Sequence, residues 1–268
     1  MNVSATPVIT LLSDLGTQHL AISGIKVLLS HYSPDVITVD ISHRIAPYNI
    51  QQAAYLTLYA HRHFPASTVH LLLVDIMFGE RHRMLLAKVN GHYFIAPDNG
   101  TLSLAFGKEL QTVWLCREFS GPVSVLKWAE HANSVIEVIK EGFDLNEYFS
   151  RFMIKEVAPL LAQKPIGARL DCTILHIDRY GNIVINLTEL QFSDLINDGP
   201  FSIKFPGEKE LTTLSRHYND VEESQLLCRF NSMGYMEIAI NHGSVADRFD
   251  LDITSDKGMN YSVVTINF

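Results

Sequence analysis

Two aspartates each follow an apolar run that predicts a buried strand, and their carboxylates could bind a small polar ligand. Asp14 stands in Ser13-Asp14-Leu15-Gly16 after the run Val8 to Leu12, and Asp75 follows the run Val69 to Val74. A carboxylate offers two acceptor oxygens, so Asp14 could accept hydrogen bonds from both hydroxyls of a ribose diol. The alternative for Asp14 is a turn residue or the N-cap of the next helix, and the sequence favours neither role.

A cluster of basic and titratable side chains, Arg81-His82-Arg83, follows Asp75 along the chain. A carboxylate near such cationic groups could orient a water molecule or a base. The alternative is a surface turn in which Asp75 forms an ordinary salt bridge, and spacing alone favours that simpler structure.

Two further loops carry polar residues. Pro97-Asp98-Asn99-Gly100 is first of all a turn signal. The segment from Asp178 to Asn182 lies between two predicted strands, and its simplest role is a hairpin loop. Within it, Tyr180 could stack on a flat ring, and the side chain of Asn182 could pair with an amide-like edge.

The sequence predicts neither a metal site nor a disulfide. No HExxH motif occurs among the twelve histidines, and His61 and His63 are expected to cap a helix end. The three cysteines, Cys116, Cys172 and Cys228, are far apart and lack CxxC spacing. Buried thiols in a reducing compartment account for them.

Length and composition favour a folded protein of two domains. The chain has 268 residues, of which 47% are hydrophobic and 19% charged. A net charge of -8 repels phosphate backbones, so we expect no nucleic-acid partner. No apolar run reaches the length of a membrane span, and the first residues resemble no signal peptide. A soluble, cytoplasmic protein is the expectation.

Hydrophobic patterning divides the chain into two parts. Residues 1–163 alternate strands and helices, which predicts an α/β domain with a mostly parallel sheet and helices on both faces. Residues 168–268 contain short strands separated by turns, which predicts a small all-β barrel or sandwich. Ligands of parallel sheets bind beyond the carboxyl ends of the strands, where Asp14 and Asp75 stand.

Seven segments, in this order along the chain, resemble the S-adenosylmethionine (SAM) hydroxide adenosyltransferase family, which includes the fluorinases and chlorinases. Each motif is short, but the ordered set covers nearly the whole chain. The segments are Ile9 to Gly16 with Lys26, Val39 to His43 with Pro47-Tyr48, Phe64-Pro65 with Thr68 to His70, Val74-Asp75 with Gly79, Pro97 to Gly100, Ile177 to Asn182 with Asn186, and Asn231 to Tyr235 with Ala239 to Asn241.

The resemblance implies an α/β domain, a C-terminal β-barrel and a homotrimer with its sites between subunits. It also implies attack on the ribose C5′ of SAM, by water in the hydrolases, giving adenosine and methionine. The sulfonium is already a good leaving group, so positioning and desolvation of the nucleophile carry the catalysis. The family needs no metal and no cofactor beyond SAM as the substrate.

The resemblance also assigns the nucleoside half of the site. Asp14 would hold the ribose hydroxyls, and Tyr48 would line the ribose and methionine region. Tyr180 and Asn182 would contact adenine from the β domain of a neighbouring subunit. The backbone near His242 would frame the adenine edge.

The methionine half of the site matches the family less well. Ser232 would face the methionine carboxylate, but the Arg expected beside it is Met233. The acidic residue that grips the methionine amine in the family is replaced by His19.

The catalytic set departs furthest from the family pattern. The family's Asp-Pro-Gly-Val-Gly segment reads Asp75-Ile76-Met77-Phe78-Gly79 here, and His82 stands where the hydrolases have a catalytic Arg. The family's Phe-His-Gly-Arg-Asp motif is absent; Lys127 falls at that place, beside Trp128 and near His131. Loss of members of a cooperative catalytic set is rarely mild.

Three hypotheses follow from these matches and departures. The first is a SAM hydrolase in which Asp75 orients water and His82 or a neighbouring Arg such as Arg83 assists. The second is a catalytically degenerate protein that binds adenosine or another nucleoside. The third is a reaction in the same cleft with a different leaving group at C5′.

Overall fold

The computed structural model describes residues 8–76, 81–154, 165–197, 199–205, 210–251 and 262–268. The chain forms two compact units, Met1–Pro159 and Leu160–Phe268. The sequence predicts domains at 1–163 and 168–268; part of that junction lies outside the described residues, so the boundary stays a prediction. Met77, Phe78 and Gly79, which depart from the family pattern, also lie outside them.

The first unit is built on a sheet of seven strands. Their order is β2-β1-β3-β5-β4-β6-β7; β2, β1, β3 and β5 run parallel, and β4, β6 and β7 pair antiparallel. The strands are β1 (Val8–Ser13), β2 (Ile37–Ser42), β3 (Val69–Leu73), β4 (Arg81–Val89), β5 (His92–Pro97), β6 (Val113–Ser120) and β7 (Ser150–Arg151), and the helices are α1 (Leu20–Tyr32), α2 (Ile50–His63), α3 (Thr101–Phe106), α4 (Val125–Lys140) and α5 (Leu145–Tyr148).

Helices cover both faces of this sheet, as predicted. Successive strand residues point to opposite faces, so Leu11 and Leu71 pack with Ile25 of α1 and Trp128 of α4 in one buried cluster. On the other face, the ring of Phe94 in β5 lies 4.6 Å from that of Phe106 in α3. Burial on both faces explains why every residue of β3 is buried and all of them except His70 are apolar.

The second unit contains a curled, all-antiparallel sheet of six strands around one apolar core. The strand order is β10-β13-β8-β9-β12-β11. A closed barrel stays a prediction, since no ladder joins β10 to β11 in the part of the chain that the structure describes. The elements are β8 (Arg169–Ile177), β9 (Ile183–Thr188), α6 (Glu189–Ile196), β10 (Ser202–Lys204), β11 (Leu226–Phe230), β12 (Tyr235–Ile240), α7 (Val245–Arg248) and β13 (Ser262–Asn267).

Candidate functional site

One edge of the first sheet gathers most of the predicted site residues. β1, β3 and β5 end there because they run parallel, with Ser13 beside Leu73. β4 runs antiparallel to β5 and therefore begins at the same edge, where Met84 pairs with Pro97. The loops that follow β1 and β3 carry Asp14 and Asp75, and the loop after β5 carries Asn99. His82 and Arg83 lie within β4, near its start.

The carboxylate of Asp14 organises this edge. Its Oδ2 accepts hydrogen bonds from the backbone amides of Tyr48, at 3.0 Å, and Asp75, at 3.2 Å. Both of those residues adopt left-handed backbone conformations, with φ of 63° and 48°. Asp14 therefore joins three loops. It does not cap α1, whose N-cap is His19.

The side chains of Tyr48 and Asp75, whose loops Asp14 joins, differ in their exposure to solvent. Tyr48 is 67% exposed, so its ring is available to a ligand. Asp75 is half-buried, and burial, followed by the nearby negative charge of Asp14, raises the pKa of its carboxyl. A carboxylate with a raised pKa is a better proton acceptor, which is the property a general base needs.

The side chain of Asn99 anchors the start of the Asp75 loop, a role that its turn motif did not indicate. Its Nδ2 donates to the carbonyl of Val74 at 2.9 Å. Its Oδ1 accepts from the backbone amide and the hydroxyl of Thr101, at 3.1 and 2.8 Å. The side chain is buried, so these bonds are shielded from water. In the sequence, only the position of Asn99 in a turn directly after a predicted strand, at the carboxyl edge of the sheet, could have suggested this role.

Arg83 and His82 project to opposite faces of β4. The guanidinium of Arg83 lies 3.3 Å from Asp98 and 3.8 Å from Glu118. A role for Arg83 beside Asp75 stays a prediction and requires these ion pairs to open. His82 is buried and pairs with Phe119 of β6 across the strands.

The start of α4 supplies the residues at the place of the missing family motif. Lys127 forms an exposed ion pair with Glu130, at 2.7 Å. The ring of His131 lies 5.2 Å from the ring of Phe119, the cross-strand partner of His82. Burial, then the charges of Arg117 and Lys127, lowers the pKa of His131. His82 and His131 thus approach one aromatic side chain from a strand and a helix.

In the second unit, the loop between β8 and β9 presents Tyr180 and fixes Asn182. The Tyr180 side chain is 78% exposed. Asn182 is buried, and its Nδ2 donates to the Asp178 carboxylate at 3.0 Å. That carboxylate also accepts from the backbone amides of both residues. One N–H of the Asn182 amide is therefore engaged, and its second N–H and its oxygen are the groups that could meet a ligand.

His242 adjoins this loop, and Ser232 does not. Ala246 donates its backbone amide to the Gly181 carbonyl at 2.9 Å, which ties the loop to the segment that follows β12. His242 lies in that segment, exposed and with φ of 55°. Ser232 is exposed in the turn before β12, at the other end of that strand. A ligand that touches both must extend along β12.

Gly181 in the same loop has no room for a side chain. Its φ is 78°, and a Cβ there would lie 1.9 Å from the Oγ of Ser244. The close approach explains why glycine separates Tyr180 from Asn182.

Among the described residues, no group of three or more His, Cys, Asp or Glu side chains is arranged to hold a metal ion. Within the same residues, none of the helices combines the length and apolar character needed to cross a bilayer.

Two family models match most of the chain. The SAM hydroxide adenosyltransferase N-terminal domain matches residues 9–131, and the C-terminal domain of the same family matches residues 172–256. The chain belongs to the SAM hydroxide adenosyltransferase family. The sequence resemblance is thereby confirmed.

Relatives and solved structures agree with this membership. A protein of Methanocaldococcus jannaschii named (R)-S-adenosyl-L-methionine hydrolase is 26% identical over 253 residues, which cover 87% of this chain and 88% of the relative. A fluorinase of an Actinoplanes species is 22% identical, with 94% and 96% coverage. The crystal structure of an uncharacterized conserved protein from Thermotoga maritima superposes with a TM-score of 0.75 at 22% identity, with 96% and 98% coverage, which shows the shared fold.

Proposed function

We propose that this protein is a SAM hydrolase, in which water attacks the ribose C5′ of SAM to give adenosine and methionine. The main support is the position of the Asp14 carboxylate at the carboxyl edge of the sheet, where it accepts hydrogen bonds from the Tyr48 and Asp75 amides and so joins their loops. Family membership and the names of the hydrolase relatives support the same reaction.

The chemistry needs one proton acceptor. The water oxygen forms a bond to C5′ while the C5′–S bond breaks. The electron pair of the broken bond stays on sulfur, which gives the neutral thioether of methionine. The proton lost by water passes to a base, and Asp75 has the raised carboxyl pKa that suits it. Since the positive sulfonium is a good leaving group, no metal or further cofactor enters the proposal.

Binding is divided among the predicted residues. Asp14 accepts from the ribose hydroxyls through the oxygen that its backbone contacts leave over, and the exposed Tyr48 ring lines the ribose. In a homotrimer, Tyr180, Asn182 and the backbone at His242 of a neighbouring copy would enclose adenine. Ser232 would meet the methionine carboxylate from the far end of β12.

Product analysis tests the proposal. Purified protein incubated with SAM should release equal amounts of adenosine and methionine, detected by liquid chromatography with mass spectrometry. Asp75→Asn should lower kcat by at least about a hundredfold, the size of a typical general-base contribution. Glu130→Gln, an exposed change at the α4 ion pair, serves as the matched acidic control. Absence of turnover by the wild type at high enzyme concentration would refute hydrolysis.

A binding protein without catalysis is the second candidate, favoured by the contacts of the residues near the family's catalytic positions. Arg83 is paired with Asp98 and Glu118, and Lys127 with Glu130. In that case calorimetry would detect adenosine binding that Asp14→Ala abolishes, with no turnover of SAM. Adenosine affinity unchanged in Asp14→Ala would contradict it.

A further inference from the structure

A row of four side chains runs from the surface to the residue that precedes Asp14. Lys26 of α1 forms an ion pair with Asp40 at the β2 edge. The other carboxylate oxygen of Asp40 lies 3.2 Å from Nε2 of His43. Nδ1 of His43 lies 2.7 Å from the hydroxyl oxygen of Ser13. The row therefore links α1, β2 and the end of β1.

The surroundings define which atom donates at each step. Burial alone raises the pKa of Asp40, but the hydrogen bond from Lys26 and the contact with His43 outweigh it and lower that pKa. Asp40 is therefore an anion. The buried Nε2 of His43 forms no well-directed hydrogen bond within the described residues, so the negative charge 3.2 Å away is what favours the tautomer with its proton on Nε2. Nδ1 is then an acceptor, and the hydroxyl of Ser13 donates to it.

Ser13 itself is not a nucleophile in this arrangement. Its side chain is completely buried and that of His43 is 5% exposed, so no substrate reaches the hydroxyl. The hydroxyl oxygen also lies 3.4 Å from the backbone amide of Leu15, on the other side of Asp14. The Ser13 hydroxyl therefore contacts the amide that follows Asp14 and, through His43, ties this end of β1 to the loop after β2.

That loop carries Tyr48, five residues after His43. A non-glycine residue in a left-handed conformation, such as Tyr48, is strained and persists only where its surroundings hold it. Two ties hold this loop to the end of β1: the Asp14 carboxylate on the Tyr48 amide, and Ser13 on His43. The second tie supports the same loop whose Tyr48 amide contacts the Asp14 carboxylate.

We infer that His43 is a positioning residue, which uses its Asp40-directed tautomer to hold Ser13 and thereby aims the Asp14 carboxylate at the ribose of a bound nucleoside. The inference rests on the nucleoside site of the proposed function. It does not depend on hydrolysis.

Two substitutions at His43 separate its two contacts. Asparagine places an amide oxygen near the position of Nδ1 and keeps the acceptor for Ser13, whereas glutamine reaches the position of Nε2 and keeps only the Asp40 side. We expect His43→Asn to bind adenosine within about threefold of the wild type. We expect His43→Gln and Ser13→Ala each to raise the calorimetric Kd about tenfold, which corresponds to about 1.4 kcal/mol.

The pair should also behave as a unit. Once Ser13→Ala has removed the hydroxyl, adding His43→Gln should change the Kd little further, because the contact is already lost. In turnover, Ser13→Ala should raise KM while leaving kcat within about twofold, since it disturbs ribose binding and not proton transfer.

Thr10→Val provides the matched control. Thr10, three residues before Ser13 in β1, forms an equally buried hydroxyl–imidazole contact of 2.8 Å with His70 of β3. Its loss should lower stability towards urea without changing the Kd for adenosine. Ser13→Ala removes only one oxygen atom and gives the same answer if His43→Gln does not fold.

The outcomes separate the inference from the proposed reaction. Normal adenosine affinity in both His43→Gln and Ser13→Ala would overturn the inference, as would an equal loss in Thr10→Val. A wild-type protein that binds adenosine but does not turn over SAM would refute hydrolysis alone and leave the inference supported by the affinities. A wild type without adenosine affinity would overturn the inference, whereas hydrolysis is tested by turnover of SAM alone.

Discussion

At the scale of single residues, the Asp14 carboxylate joins three loops and, in the proposed function, also binds the ribose; a conservative change can separate the two roles. Asparagine keeps one oxygen to accept from the Tyr48 and Asp75 amides, but it loses the second acceptor oxygen and the charge. Asp14→Asn should therefore keep near-native stability and weaken adenosine binding at least about tenfold. Asp14→Ala should in addition lose about 1–3 kcal/mol of stability, because two amides lose their partner.

Calorimetry and urea unfolding of the two Asp14 variants check this prediction. Equal stability of Asp14→Ala and the wild type would show that the three loops do not depend on the carboxylate. Unchanged adenosine affinity in Asp14→Asn would show that the ribose does not contact it.

The second residue-scale prediction concerns the pH dependence of Asp75. Burial, then Asp14, raises the pKa of its carboxyl above the ordinary 3.8. Because the base must be ionised, kcat/KM should fall as pH decreases through that raised pKa. The acid limb of the profile should disappear in Asp75→Asn, whose residual rate should not vary with this ionisation. An unchanged acid limb in the variant would assign it to another group.

At the scale of elements, three histidines lie between the sheet and helices α2 and α3. His70 is completely buried, with Nδ1 at 2.8 Å from the hydroxyl of Thr10 and Nε2 at 3.2 Å from Nδ1 of His92. Its ring stacks on Phe94 at 4.7 Å. Burial, then the neighbouring His92 and His61, lowers the pKa of His70 to about 3.

The stability of the first unit should consequently decrease in acid. The unfolded chain binds a proton at His70 near pH 6.5 and the folded chain only near pH 3, so stability is lost as pH falls through this window. Between pH 7 and pH 5 the loss from His70 is about 2 kcal/mol. A Thr10→Val, His70→Phe double variant removes both partners and should flatten the dependence by that amount.

Urea unfolding followed by tryptophan fluorescence measures this prediction. Both tryptophans of the chain, Trp114 and Trp128, lie in the first unit, so the signal reports on that unit. The same pH dependence in the double variant and the wild type would contradict the account.

Several elements could be predicted from sequence because local pattern determined them. The apolar run before Asp75 and the Asn90-Gly91 turn between β4 and β5 follow directly from strand and turn chemistry. β6 was not predicted, because a bulge at Cys116 and the exposed Arg117 and Glu118 interrupt its alternation. These features depend on the neighbouring strand, which the local sequence does not reveal.

The same contrast between features set by local sequence and features set by distant neighbours applies to the helices and to the site. α6 was missed although its Thr188 and Gln191 form a capping box, since the surrounding pattern of short strands dominated. The rule for carboxyl ends correctly placed Asp14 and Asp75 at one edge. The backbone contacts of Asp14 could not be predicted, because they require the left-handed conformations of two loops distant in sequence.

At the scale of the whole molecule, the proposed homotrimer makes a prediction about shared sites. If each site combines Asp14 of one copy with Tyr180 of another, neither Asp14→Ala nor Tyr180→Ala chains alone should bind adenosine normally. Co-expressed at equal levels, the two variants should regain about a quarter of the sites, because some interfaces receive both native residues.

Binding stoichiometry on the co-expressed protein, purified at three times the 30.2 kDa chain mass, measures this complementation. Two variants that fail to complement would place both residues of each site in one chain. A monomer in solution would contradict the trimer itself.

The origin of the oxygen in the product tests the central proposal most directly. SAM is incubated with the protein in water enriched in 18O, and the adenosine and methionine are analysed by mass spectrometry. The account predicts one 18O atom in the 5′-hydroxyl of adenosine and none in methionine, because water attacks C5′ and sulfur leaves with its electron pair. Adenosine without the label, or no adenosine at all, would contradict it.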